Sequence, residues 1–134
     1  MKTKSELREI AMTVIYQTYI YDNDYNVDEL IKEQIEVQND YVNDLVKGII
    51  KNQKEIDDLA NKYLLNWTID RLSKVDRAIL SIGIYEIMYT DIQCKIAINE
   101  AIELSKKYSD EKVTKMINAC LDKIYHNEDI SDER

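Results

Sequence analysis

The chain has 134 residues and a net charge of −8, from 26 acidic against 18 basic groups; 45% of its residues are hydrophobic and 33% charged. A chain of this length can bury a core without disulfides or metals, and an acidic balance argues against a generic nucleic-acid binder. No proline, no phenylalanine and only two glycines leave too few turn formers for an all-β chain, so the expected class is all-α, with helices joined by polar turns.

Leu7, Ile10, Ala11, Val14, Ile15 and Thr18 recur at helical spacing and predict an amphipathic helix over 5–21. Asp22-Asn23-Asp24 reads as a turn. Asn26 is placed to cap a second, short helix bearing Val27, Leu30, Ile31 and Ile35, with Glu29 at the capping-box position. Asn39 or Asp40 caps a third, carrying Val42, Leu45, Val46, Ile49 and Ile50. A fourth carries Ile56, Leu59, Ala60, Tyr63 and Leu64 and ends near Asn66-Trp67-Thr68.

From Leu72 to Tyr89 the pattern is apolar around most of the helix, which predicts a central, buried element. Gly83 inside it implies close approach of a neighbouring helix, because glycine in a helix costs about 1 kcal/mol against alanine. Glu86 falls on the same apolar stripe. A carboxylate there requires a partner, either backbone N–H groups or a cation on a neighbouring helix. After a connector at 91–95, Ile98, Ala101, Ile102 and Ser105 define a helix over 96–108. Ser109-Asp110 breaks it and caps the last helix, marked by Val113, Met116, Ile117, Cys120, Leu121 and Ile124. Residues 1–126 thus read as one domain, followed by an acidic tail over 127–134, too polar to pack and expected to be disordered.

Little in the chain suggests catalysis. The one histidine, His126, stands beside the acidic tail, where catalytic geometry is hard to hold. Cys94 and Cys120 have no metal spacing and read as reduced core residues. There is no glycine-rich phosphate loop. No metal, cofactor or enzymatic activity is expected. No leader or membrane-spanning run is visible, and the expected location is the cytoplasm. Tyr16, Tyr19 and Tyr21 on the first helix allow two readings, core packing or stacking of RNA bases beside Lys4 and Arg8.

Several motifs are familiar in order and spacing. Leu65-Asn66-Trp67-Thr68-Ile69-Asp70-Arg71-Leu72 leads into Val75-Asp76-Arg77-Ala78-Ile79-Leu80 and Tyr85-Glu86. Ile98-Asn99-Glu100-Ala101-Ile102-Glu103-Leu104-Ser105-Lys106 follows, and then Lys115-Met116-Ile117-Asn118-Ala119-Cys120-Leu121-Asp122. With Arg8-Glu9-Ile10-Ala11 and Ile15-Tyr16-Gln17 at the start, the chain resembles the NusB family over about residues 4–125. The resemblance implies about seven helices in two packed helical subdomains. It also implies a bacterial transcription antitermination factor that binds the boxA segment of nascent ribosomal-RNA transcripts together with NusE, a small-subunit ribosomal protein, and joins RNA polymerase. It implies no membrane association.

Carried onto this sequence, the family's RNA-binding places hold Lys2, Lys4, Arg8, Tyr16 and Gln17, and then Lys106, Lys107, Lys112, Lys115, Met116 and Asn118. The lysines and arginine suit phosphates, and Gln, Asn and Tyr suit unstacked bases. Asp70 and Asp76 are candidate contacts for the basic NusE, although both also suit a helix N-terminus. The chain departs from the family where Ser5 and Glu6 replace a denser basic cluster. It departs again where Met116 stands for Phe and Ala119 for Gly, and where no Pro occurs near Gln93-Cys94. These departures motivate an alternative: a module that binds NusE and has little RNA affinity of its own.

Overall fold

The computed structural model describes residues 1–130. Among these, six α-helices and one 3-10 turn form the fold, with no strand: α1 (Lys4–Tyr21), α2 (Val27–Gln34), α3 (Asp40–Tyr63), the 3-10 turn (Ile69–Arg71), α4 (Lys74–Tyr89), α5 (Cys94–Tyr108) and α6 (Glu111–Asn127). None is long and apolar enough to cross a membrane.

The caps follow from short polar side chains at the right positions. Asn26, Asn39, Ser73 and Asp110 each accept a hydrogen bond from the backbone N–H three residues on, which satisfies a donor that the first turn leaves open. Thr3 and Glu6 form a reciprocal capping box at α1. After α3 the chain turns at Asn66, a left-handed residue at φ 65, a conformation asparagine tolerates. The Asn61 carboxamide accepts the Ile69 N–H and pins that turn.

The third and fourth expected helices are one element. α3 runs unbroken through Gln53 and bends at Asn52 (φ −107, ψ 15). The bend disturbs the ladder, and the Asn52 side-chain amide donates to the Gly48 carbonyl four residues back. A polar pair at Asn52-Gln53 between two apolar stripes looks like a loop in sequence, but here it is a kink.

α1, α2 and α3 pack as one half and α4, α5 and α6 as the other. α4 lies between them, touching α1, α3, α5 and α6. Ala78, Ile79, Leu80, Ile82, Ile84 and Ile87 of α4 are fully buried, as its apolar girth predicts. At Gly83 a Cβ would stand 2.8 Å from Leu121 on α6 and 3.3 Å from Ala101 on α5, so the missing side chain lets both helices close in. Cys94 and Cys120 are both buried, and burial pushes the Cys120 thiol up to about 12.

Of the expected tail, Asn127 closes α6 and the Glu128 carboxylate accepts from Lys62 at 2.9 Å and Tyr63 at 2.5 Å. Ile130 packs partly against the core. These contacts tie the start of the tail to the end of α3. The rest, 131–134, lies outside the described residues.

Candidate nucleic-acid and partner interface

Glu86 and Arg8 form the most constrained polar site. Glu86 is fully buried and Arg8 is 2% exposed. Arg8 Nε and Nη2 donate to the two Glu86 oxygens at 2.7 and 3.1 Å, and Tyr41 Oη donates to Glu86 at 2.8 Å. Arg8 Nη1 reaches Glu100 at 2.8 Å, where Ser5 also donates. A bidentate guanidinium with two carboxylates answers the cost of burying either charge alone. The site joins α1, α3, α4 and α5. It supplies the neighbouring cation that Glu86 required, and it removes Arg8 from the surface set expected to meet RNA. At 2% exposure the guanidinium lies beneath the surface, where a phosphate does not reach it.

A second, partly buried network lies between α1, α3 and α4. Tyr19 Oη donates to Gln53 at 2.8 Å and lies 3.2 Å from the Ser81 hydroxyl. Gln53 donates to Asp57 and Ser81, and Arg77 pairs with Asp57 at 2.7 Å. The Arg77 guanidinium lies 4.1 Å from the centroid of the Tyr19 ring. Burial pushes the Tyr19 hydroxyl up to about 12. For Tyr19, the choice between packing and base stacking falls to packing.

The remaining candidates are not gathered into one place. Lys106, Lys115 and Asn118 line a groove of about 480 Å³ at the α5–α6 turn, together with Ser109 and Thr114. Lys112 is exposed on the first turn of α6 and makes no ion pair among the described residues. Met116 is half-buried against the core. Lys106 and Lys115 pair loosely along their own helices with Glu103 and Glu111. Lys107 is held more firmly, by both oxygens of Glu9 at 2.9 Å. Tyr108 donates to the same carboxylate. The Tyr108 hydroxyl and Lys107 hold Glu9 below the ordinary carboxylate value of 4.5.

At the other end of α1, Lys2 lies beside the α2–α3 connection and Lys4 stands 4.9 Å from the Tyr41 ring centroid. The groove between α1 and α5 is edged by Glu6, Glu9, Glu100 and Glu103, so that flank of α1 is acidic. Tyr16 and Gln17 are half-buried on α1, and the Gln17 amide oxygen has no hydrogen-bond partner among the described residues.

Of the partner candidates, Asp70 is exposed and accepts from Thr68 at 2.5 Å. Asp76 is 8% exposed and takes the Ser109 hydroxyl. It sits in the first turn of α4, where a carboxylate suits the helix dipole. For Asp76 the helix-end role therefore wins over partner contact. The sequence reading missed what surrounds Asp70: Leu65 is 69% exposed and Trp67 37% exposed, with Arg71 over the Trp67 ring at 5.6 Å. Two large apolar residues in a polar loop were the available signal.

Among the described residues no group of three or more His, Cys, Asp or Glu is arranged to hold a metal ion. His126 is exposed on the last turn of α6, 3.4 Å from Asp122. Two three-helix halves around a buried ion pair, with lysines at one turn and an apolar loop at another, define a small all-α binding protein. The chain belongs to the NusB family, whose model matches residues 5–126.

The transcription antitermination protein NusB of Bacillus subtilis strain 168 is 37% identical over 120 residues, spanning 87% of this chain and 90% of that one. Its counterpart in Macrococcus caseolyticus is 34% identical over 127 residues, covering 93% and 98%. Among solved structures, Thermotoga maritima NusB superposes with a TM-score of 0.83 at 31% identity, covering 96% of this chain and 94% of that one. A crystal structure of the antitermination factors NusB and NusE in complex with dsRNA contains a chain matching at TM-score 0.81 and 29% identity, covering 93% and 97%.

Proposed function

We propose that this antitermination protein binds boxA-type single-stranded RNA of nascent ribosomal-RNA transcripts together with NusE, and that the complex associates with RNA polymerase. The observation that carries this reading is the α5–α6 turn, where Lys106, Lys115 and Asn118 share one groove and Lys112, on the first turn of α6, is exposed with no ion pair among the described residues. Ammonium groups there neutralise phosphates, and the Asn118 amide can meet a base edge. Lys2 and Lys4 add charge at the start of α1. Tyr16, Gln17 and Met116 are too covered to be more than edges of the contact. For the protein partner, Leu65 and Trp67 offer an apolar anchor and Asp70 an acidic rim. A solved relative seen with NusE and dsRNA supports contact with NusE and with RNA in general.

One observation favours the alternative, a NusE-binding module with little RNA affinity of its own. Lys107 is neutralised by Glu9, Arg8 is buried, and the α1–α5 groove is acidic. Titrating a labelled boxA-like RNA, with a scrambled control, with and without NusE and across salt, separates the two. Selective, salt-sensitive binding that tightens with NusE supports the RNA reading. Absence of selectivity in the presence of NusE supports the module.

A further inference from the structure

A groove of about 770 Å³ lies between the start of α1, the first half of α3 and the end of α4. It is separate from the α5–α6 turn and shares only Lys4 with the residues assigned to RNA above. One wall is a stacked pair of tyrosines, Tyr85 and Tyr89, with ring centroids 5.2 Å apart and planes inclined by 23°. The pair is fixed from both sides. Tyr85 lies directly on Gly48, where a Cβ would fall 2.0 Å from its hydroxyl oxygen. Tyr89 donates to Glu55 on α3 at 2.8 Å. Tyr89 nevertheless keeps 41% of its surface exposed.

Charge surrounds this platform. Lys47 and Lys51, one turn apart on α3, and Lys4 on α1 form the rim. Lys47 is shared with Asp28 at 2.9 Å, whereas Lys51 makes no ion pair among the described residues. Asp44 and Asp91 also line the groove. An aromatic face, a lysine rim and two hydrogen-bond-accepting carboxylates correspond to the three parts of a nucleotide. The face stacks a base, the rim meets phosphate, and the carboxylates accept from exocyclic amines or ribose hydroxyls.

We infer that this groove is a subsite for one unpaired nucleotide of a single-stranded RNA, its base stacked on Tyr89 and its flanking phosphates met by Lys51 and Lys4. The inference rests on the RNA-binding reading and adds a second point of contact, on the α3–α4 face. Lys4, at the lip of the groove and at the start of α1, is the link between the two.

The test uses the full chain, a labelled single-stranded RNA and anisotropy across salt, with NusE present and absent. Tyr89→Ala should weaken binding about tenfold or more, and Tyr89→Phe, which keeps the ring, should retain it. Lys51→Ala should lower the salt slope by about 0.7, the loss of one phosphate contact on a single strand. If Tyr89→Ala melts early, the exposed Lys51→Ala decides. If both bind as wild type does while Lys112→Glu binds more weakly, the groove is overturned and the α5–α6 reading stands. If Tyr89→Phe falls as far as Tyr89→Ala, the bond to Glu55 and not stacking is at work, which also overturns it. If Tyr89→Ala loses NusE but keeps RNA, the groove belongs to a protein partner and the inference fails. No RNA binding by wild type, even with NusE, overturns both proposals.

Discussion

Arg8 and Glu86 stand 78 residues apart in sequence and meet in the core through two hydrogen bonds. Removing Arg8 leaves Glu86 buried with only the Tyr41 hydroxyl to answer its charge, at a cost of about 3–5 kcal/mol. Arg8→Ala should therefore lower the denaturant midpoint sharply, while Lys4→Ala, an exposed neighbour, should not. The same position explains why Arg8 was misplaced from sequence. The family resemblance pointed to a surface contact, but Arg8, Ala11, Met12 and Ile15 are spaced i, i+3, i+4, i+7, a buried stripe. Asp76 with Ile79, Leu80 and Gly83 repeats the pattern. In both cases spacing was the better guide to burial than residue type, and Glu86 was read correctly because spacing was followed. Surface carboxylates tell a different story. Tyr108 and Lys107 hold Glu9 below 4.5, and Tyr63 and Lys62 do the same for Glu128. A depressed folded-state value means stability is fully present above pH 4.5 and is lost as pH falls through the lower value. Melting temperature should decline on acidification in that window, and the decline should be shallower in Glu9→Gln.

Among the elements, α4 sets the spacing of the C-terminal half through Gly83. Leu121, which a Cβ there would press, is fully buried, so it cannot give way toward solvent. Overpacking of this kind costs about 1–3 kcal/mol, against about 1 kcal/mol gained in helix propensity. Gly83→Ala should therefore be destabilising on balance, by about 1 kcal/mol in urea unfolding. Helix existence and caps were legible because periodicity and short polar caps are local signals. The continuity of α3 was not, because Asn52-Gln53 is polar for a tertiary reason. Gln53 turns inward to Ser81 and Tyr19, and no local pattern announces partners 28 and 34 residues away.

At the scale of the molecule, net charge misleads and placement decides. The acidic surplus falls mainly in residues 21–60, on α2 and α3, and leaves the α5–α6 turn free to present lysines. These lysines are not equivalent. Lys112 makes no ion pair among the described residues, whereas Lys107 serves as a tie between α5 and α1. Lys112→Glu should weaken RNA binding more than Lys107→Glu does, and Lys107→Glu should instead lower the melting temperature by setting two carboxylates against each other. Sequence grouped these lysines at one turn but could not rank them, because ranking depends on Glu9, 98 residues away from Lys107.

The Arg8–Glu86 pair also has a meaning in time. A ribosome makes α1, α2 and α3 before α4, and until Glu86 and Glu100 emerge the Arg8 guanidinium has no carboxylate to enter the core with. On this account the first half of the nascent chain should not settle alone, and commitment should wait for the second half. A fragment of residues 1–63 should show weak helical circular dichroism and no cooperative melt, and adding residues 64–126 in trans should restore both.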